Sequence, residues 1–260
     1  MTDSPWPAAS TPAITFASGG EQLLGVLHLP AGPGPFPVVL LLHGFPGNER
    51  NFDLAQALRR AGYAAVVFHY RGSWGVGGSW SWQHVLDDAA AVVAQVRSDP
   101  RFDPARVAVV GHSVGGFAAL YTAAADPSVA AVASLAGFDL AALAATTSAD
   151  AAVRAEWVTA FDGELLPLRG TSGEALIAEA EAAGDAWSLP ELAPALANRP
   201  VLLIGASRDS LSVQAIHHDP LVEAYATARL EHHAFPTDHA LSDHRLTAAS
   251  TLINFLNRHV

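Results

Sequence analysis

Residues 106–116 read RVAVVGHSVGG. An apolar run enters Gly111-His112-Ser113-Val114-Gly115, a G-x-S-x-G pattern, and a stretch of small residues continues to about 125. A buried strand that feeds a helix through a sharp turn leaves the serine at the tip of that turn. Glycines two positions to either side let neighbouring chain come close, and the serine itself sits in a strained backbone conformation. Its hydroxyl then stands free, and the start of the following helix offers unpaired N–H groups to developing negative charge. Ser113 is therefore a candidate nucleophile.

Outward from this stretch the chain alternates strands and helices. Apolar runs at 37–42, 63–68, 106–110, 129–135 and 201–205 read as strands, most of them buried on both faces, and 229–234 reads as the last strand. Residues 22–29 alternate and read as an edge strand. Helices are expected over 50–61, 83–97, 114–125 and about 245–258, the first ended by Gly62. Such alternation implies an α/β fold, a mostly parallel sheet covered on both faces. The expectation is a single domain over 1–260, with a proline-containing extended arm at 1–20. Residues 138–198 break the rhythm. They are rich in alanine and acids and read as a helical insertion, with 162–173 as its most exposed loop. The insertion is a lid or a decorated surface. The lid is favoured because ligand sites in open parallel sheets lie at the strand C-terminal ends, where insertions also emerge.

A serine hydroxyl needs a base, and the base needs an orienting acid. In this topology both follow the serine in chain order. Asp209 lies just past 201–205, and His239 just past 229–234, both in loops at the same sheet edge as Ser113. His244 is the rival base. Asp139 and Asp238 are the rival acids. A developing oxyanion needs two N–H donors, for which Val114 and Phe45 are the candidates, since Pro46 has no N–H. Trp74, Trp80 and Trp82 follow a core strand, and with His112 they are candidate substrate contacts. The alternative is that the tryptophans cover the core or pack under the insertion. Asp87 and Asp88 fall in a helix and read as a solvated face. The histidine pairs 217–218 and 232–233 lack helical metal-ligand spacing, so no metal is expected. The glycine-rich 72–78 does not open a helix, which argues against a dinucleotide, and no cofactor is expected.

Composition bounds the class. The chain has 260 residues, half of them hydrophobic, no cysteine, and 14 basic residues, every one an arginine. That excludes disulfides, a cysteine nucleophile and lysine Schiff-base chemistry. A net charge of −11 argues against nucleic-acid partners. No apolar run reaches the roughly 18 residues of a membrane span, and the N-terminus has no secretory pattern, so no membrane partner and a cytoplasmic location are expected. Nothing in the sequence specifies an oligomeric interface.

The motifs HGFPGN, YRG at 70–72, GHSVGG, ASRD and TDH, in this order, resemble the α/β-hydrolase superfamily. Within it the chain is most similar to small single-domain relatives of the prolyl oligopeptidase and dienelactone hydrolase branches, including acyl esterases. The resemblance covers about 20–137 and 199–260. It implies a serine hydrolase with nucleophile Ser113, base His239, acid Asp209 and oxyanion donors Phe45 and Val114. Dienelactone hydrolases use cysteine, and full oligopeptidases carry a propeller domain that this chain is too short to supply. The expected activity is hydrolysis of small-molecule esters with small to medium acyl groups. Cleavage of short peptides or amides is the alternative, and a non-catalytic ligand-binding member a third.

Overall fold

The apolar runs at the centre of the sequence form the middle of a sheet. The computed structural model describes residues 6–260. Among these, in chain order, lie β1 (Ala13–Ser18), β2 (Glu21–His28), β3 (Phe36–Leu42), α1 (Phe52–Arg60), β4 (Ala64–Phe68), α2 (Trp82–Ser98), β5 (Phe102–His112), α3 (Val114–Ala125), β6 (Ala131–Leu135), α4 (Leu140–Ala149), α5 (Ala151–Gly163), α6 (Gly173–Ala183), α7 (Ala193–Leu196), β7 (Pro200–Ala206), α8 (Gln214–His217), α9 (Asp219–Ala224), β8 (Arg229–Phe235) and α10 (Arg245–His259). The strands form one eight-stranded sheet in the order β1-β2-β4-β3-β5-β6-β7-β8. From β4 to β8 all neighbours are parallel, and β1, β2 and β4 pair antiparallel.

The central strands are apolar on both faces because both faces are covered. Leu54 and Leu58 of α1 and Leu252 and Phe255 of α10 pack with Val39, Leu41 and Ile204 on one side. On the other, Val92 of α2 and Phe117 of α3 pack with Leu40, Val109 and Val132, in a core that also takes in the insertion. The five α/β crossovers that join the parallel strands β3 to β8 leave their strands at one edge, and that edge carries Ser113, Asp209 and His239.

Three expectations are corrected. The segment 1–20, expected as an extended arm, is part of the sheet where it is described: Ala13–Ser18 is a strand in full register with β2, and Ser10 bridges Leu29; residues 1–5 lie outside the described residues. Consequently 21–28 is an interior strand, and β1 forms the edge. Asp88 is not on a solvated face. It is fully buried and accepts from the Arg71 backbone N–H (2.7 Å) and Nε (2.6 Å), tying the loop after β4 to α2. A buried acid persists only with such partners.

Within 138–198 the structure has α4 to α7 and short 3-10 turns. This segment is anchored. Glu179 of α6 accepts from the Trp82 and Gln83 N–H groups (2.9 Å each), and Trp82 Nε1 donates to the Leu176 carbonyl (2.9 Å). In the loop 162–173, Leu166 is almost fully exposed, but its neighbours are zipped to 72–80: Trp74 N–H to the Pro167 carbonyl, Trp80 N–H to Arg169, Arg169 N–H to Gly72.

Candidate functional site

Ser113 has φ 57° and ψ −126°, a conformation that an L residue adopts only at a cost of about 1–3 kcal/mol. Its surroundings enforce it. Ser113 N–H donates to the Leu135 carbonyl, while its own carbonyl accepts from Gly116, Phe117 and Phe138. The turn is so tight that a Cβ on Gly111 would lie 1.8 Å from the Gly115 carbonyl oxygen, and one on Gly115 would lie 2.0 Å from the Leu42 oxygen. This is the physical content of the two glycines in the motif. Among the described residues the Ser113 hydroxyl has no hydrogen-bond partner, and it opens onto a cavity of about 500 Å3.

His239 lines the same cavity. Its Nδ1 lies 2.6 Å from Asp209 Oδ2, and the other oxygen, Oδ1, accepts from the N–H groups of Leu211 (2.8 Å) and Ser212 (2.9 Å). Burial works to raise the Asp209 carboxyl pKa, but the His239 bond and charge, with these two N–H donors, outweigh it and hold the carboxyl below its ordinary range. An ionised Asp209 only accepts, so the proton of neutral His239 sits on Nδ1 and Nε2 is left as an acceptor. The rivals are occupied elsewhere. Asp139 caps α4 through Ala141 and Ala142 and accepts from Leu189; Asp238 accepts from Ser242; His244 stacks on Phe235.

Among the described residues, two N–H groups at the cavity, those of Phe45 and Val114, have no acceptor. Val114 is the first residue of α3, where helical geometry supplies no partner. Phe45 lies in the loop after β3, and both residues line the cavity. The peptide bearing the Phe45 N–H is held from behind, because His43 Nδ1 donates to the Gly44 carbonyl at 2.8 Å. In a trans peptide the C=O and the next N–H point in opposite directions, so fixing one aims the other. Burial, with the neighbouring His69, pushes His43 down to about 3 and keeps it neutral.

His112 lines the cavity but is mostly covered. Its Nε2–H donates to the His239 backbone carbonyl (2.7 Å), tying the serine turn to the loop after β8. Burial, then the adjacent His239, lowers its pKa to about 4. The tryptophan expectation is corrected. Trp80 and Trp82 are essentially buried, in an edge-to-face cluster with Phe45 and Tyr70, and Trp82 packs under the insertion against Phe161 with its Nε1 on the Leu176 carbonyl, so neither ring is free to wall the cavity. Trp74 borders a separate depression, with the Arg50 guanidinium over its ring, His69 stacked on it and its Nε1 donating to the Pro46 carbonyl. The cavity walls come instead from Phe45, Phe138, Trp157, Phe161 and Leu211, with Asn48, Glu49 and Glu164 among its polar residues. Trp157 and Phe161 stand four apart on α5, which is one helix face; that spacing was the available signal.

The chain can be compared with known proteins on this basis. A family model for the alpha/beta hydrolase fold matches residues 37–201. The chain belongs to that family. The match embraces Phe45 and Ser113, whereas Asp209 and His239 lie beyond its end. Among relatives of this α/β-hydrolase chain, an uncharacterized peptidase, YuxL, of Bacillus subtilis (strain 168) is 34% identical over 112 residues, 38% of this chain and 17% of that protein. Quorum-quenching protein AidA of Acinetobacter baumannii (strain MDR-ZJ06) is 34% identical over 125 residues, 46% of this chain and 41% of its own. The chain thus spans less than half the length of these curated relatives. A Pyrococcus furiosus esterase structure superposes with a TM-score of 0.73 at 18% identity, over 96% of this chain and 92% of the other, which shows a shared fold. Among the described residues no helix is long and apolar enough to cross a membrane.

Proposed function

We propose that this chain is a serine hydrolase that cleaves carboxylic esters of small to medium acyl groups through an acyl-enzyme. The observation that supports it most is the convergence on one cavity of Ser113, two unpaired N–H groups and a histidine whose tautomer is set by a buried carboxylate. In this reading His239 Nε2 takes the Ser113 proton as Oγ bonds to the ester carbon. The carbonyl oxygen, now negative, rests on the Phe45 and Val114 N–H groups. His239 returns the proton to the departing alkoxide as the C–O bond breaks. Water then repeats the sequence on the acyl-enzyme and releases the acid. Residues 138–198 act as a cap that walls one side of the site. No cofactor takes part in these steps.

Matched p-nitrophenyl esters and p-nitroanilides, measured with the wild type and Ser113→Ala, test the reading. Esters should turn over and anilides should not, and the variant should lose at least about 10^4-fold in kcat. Efficient turnover of short-peptide anilides would replace it with the amidase reading, to which the peptidase name of one relative lends support. Equal rates for Ser113→Ala and wild type would remove Ser113 from the nucleophile role.

A further inference from the structure

One side of the cavity is a continuous series of aromatic rings. Phe45 and Phe161 have centroids 5.0 Å apart, Phe161 and Trp157 5.5 Å, Trp157 and Phe138 5.6 Å. Trp82 packs edge-on behind both Phe45 (5.6 Å) and Phe161 (5.7 Å), so the wall is backed by core. The series begins at Phe45, whose N–H is the oxyanion donor, and so at the carbonyl end of a bound ester. The His239 ring is outside it and packs on His112 at 5.0 Å. A leaving group must face His239 to be protonated, which leaves the aromatic wall to the acyl group. The charge pattern adds a second constraint. Glu49 and Glu164 line the cavity, no arginine does, and the chain has no lysine. Glu49 is itself paired with Arg245 at 4.0 Å, outside the lining, so a carboxylate on the acyl group would chiefly meet Glu164, with no arginine or lysine in the lining to offset it.

We propose, resting on the ester-hydrolase reading, that the site selects uncharged, flat aromatic acyl groups, with Trp157 of α5 as the residue that sets this preference. Edge-to-face and offset contacts with flat rings give a phenyl group an advantage that a cyclohexyl group of similar size and greater hydrophobicity cannot match.

The test compares kcat/KM for methyl 3-phenylpropanoate, methyl 3-cyclohexylpropanoate, phenethyl acetate and the para-carboxylate of the first ester, with p-nitrophenyl acetate as the common control. The phenyl acyl ester should lead its cyclohexyl analogue by about tenfold, and the carboxylated ester should fall by about tenfold or more. Trp157→Ala should bring the phenyl-to-cyclohexyl ratio close to one. Trp157→Leu, which keeps bulk and removes the flat face, should do the same, and Trp157→Phe should restore most of the preference. Equal rates for the two rings, faster turnover of phenethyl acetate, or a ratio unmoved by Trp157→Leu would overturn the proposal. If p-nitrophenyl acetate is itself inert, the ester-hydrolase reading fails instead. Calorimetric binding of 3-phenylpropanamide against 3-cyclohexylpropanamide then reads the aromatic preference without turnover, and equal affinities would overturn it.

Discussion

Asp209 offers His239 only one of its two oxygens. Oδ1 is committed to the N–H groups of Leu211 and Ser212, so only Oδ2 meets the imidazole. This makes Asp209→Asn an unusually directed substitution. The amide oxygen must take the Oδ1 position, because two N–H donors already point there. The amide NH2 is then forced against His239 Nδ1, which must accept. The ring proton moves to Nε2, and the proposed base can no longer take a proton from Ser113. The expected outcome is a loss of about 10^4-fold in kcat near neutral pH. Thermal unfolding should shift little, since the hydrogen-bond count is unchanged. A kcat within tenfold of wild type would show that His239 does not depend on this tautomer. Ser113, Asp209 and His239, which the proposed relay uses, are picked out in the sequence by chain order and strand ends, and the structure brings them to one sheet edge. The cavity-facing residues were not legible. Trp157 and Phe161 form an ordinary amphipathic pair on α5, and only the packing of α5 over Phe45 decides which face looks inward.

At the scale of elements, the turn from β5 into α3 tolerates no added atom. The Gly115 Cα lies against the end of β3, where a Cβ would stand 2.0 Å from the Leu42 oxygen and 2.8 Å from that of His43. Both neighbours are backbone of a central strand and its loop and cannot step aside. Gly115→Ala should destabilise the fold by at least about 1–3 kcal/mol, the usual cost of overpacking. It should also reduce labelling of Ser113 by a fluorophosphonate in whatever fraction remains folded, because relief of the clash moves α3 and the Val114 N–H with it. Denaturant unfolding and labelling stoichiometry check the two parts. Wild-type stability would show that the strands separate more easily than their pairing suggests. The central parallel strands were legible in the sequence because burial on both faces leaves a continuous apolar run; β8, RLEHHAF, is an edge strand without one. β1 was not legible: AITFAS follows three prolines, and its pairing with β2 is tertiary information that local pattern does not hold. Asp88 was misread for a similar reason, since its partner Arg71 lies seventeen residues back in a loop.

The molecule as a whole holds several histidines in their neutral form. Burial above all lowers His43 to about 3 and His69, His112 and His217 to about 4, all from 6.5; neighbouring positive groups add to this, while the Asp209 charge works against it at His217. Unfolding returns each to its ordinary value. Above about pH 6.5 neither state binds the protons and the stabilisation is complete. Below that, the unfolded chain takes up protons that the folded chain refuses. Stability falls as pH drops through the window from about 6.5 to about 4, by up to about 1.4 kcal/mol per pH unit for each such histidine. Urea midpoints should therefore decline steeply between pH 7 and pH 5. Replacing His112 by Gln, which keeps a donor for the His239 carbonyl, should make that decline shallower by one proton. A flat midpoint across this range would show that these rings are already protonated in the folded state.

The bond from His112 to the His239 carbonyl joins positions 127 residues apart. The serine turn is thus translated, and its strand can pair with β3, long before the polypeptide that supplies Asp209 and His239 emerges from a ribosome. In the proposed reading, chemical competence requires both parts of the sheet edge at once. Recovery of turnover during refolding would then report the joining of the serine turn to the loops after β7 and β8, a long-range event that burial of the central strands alone would not report.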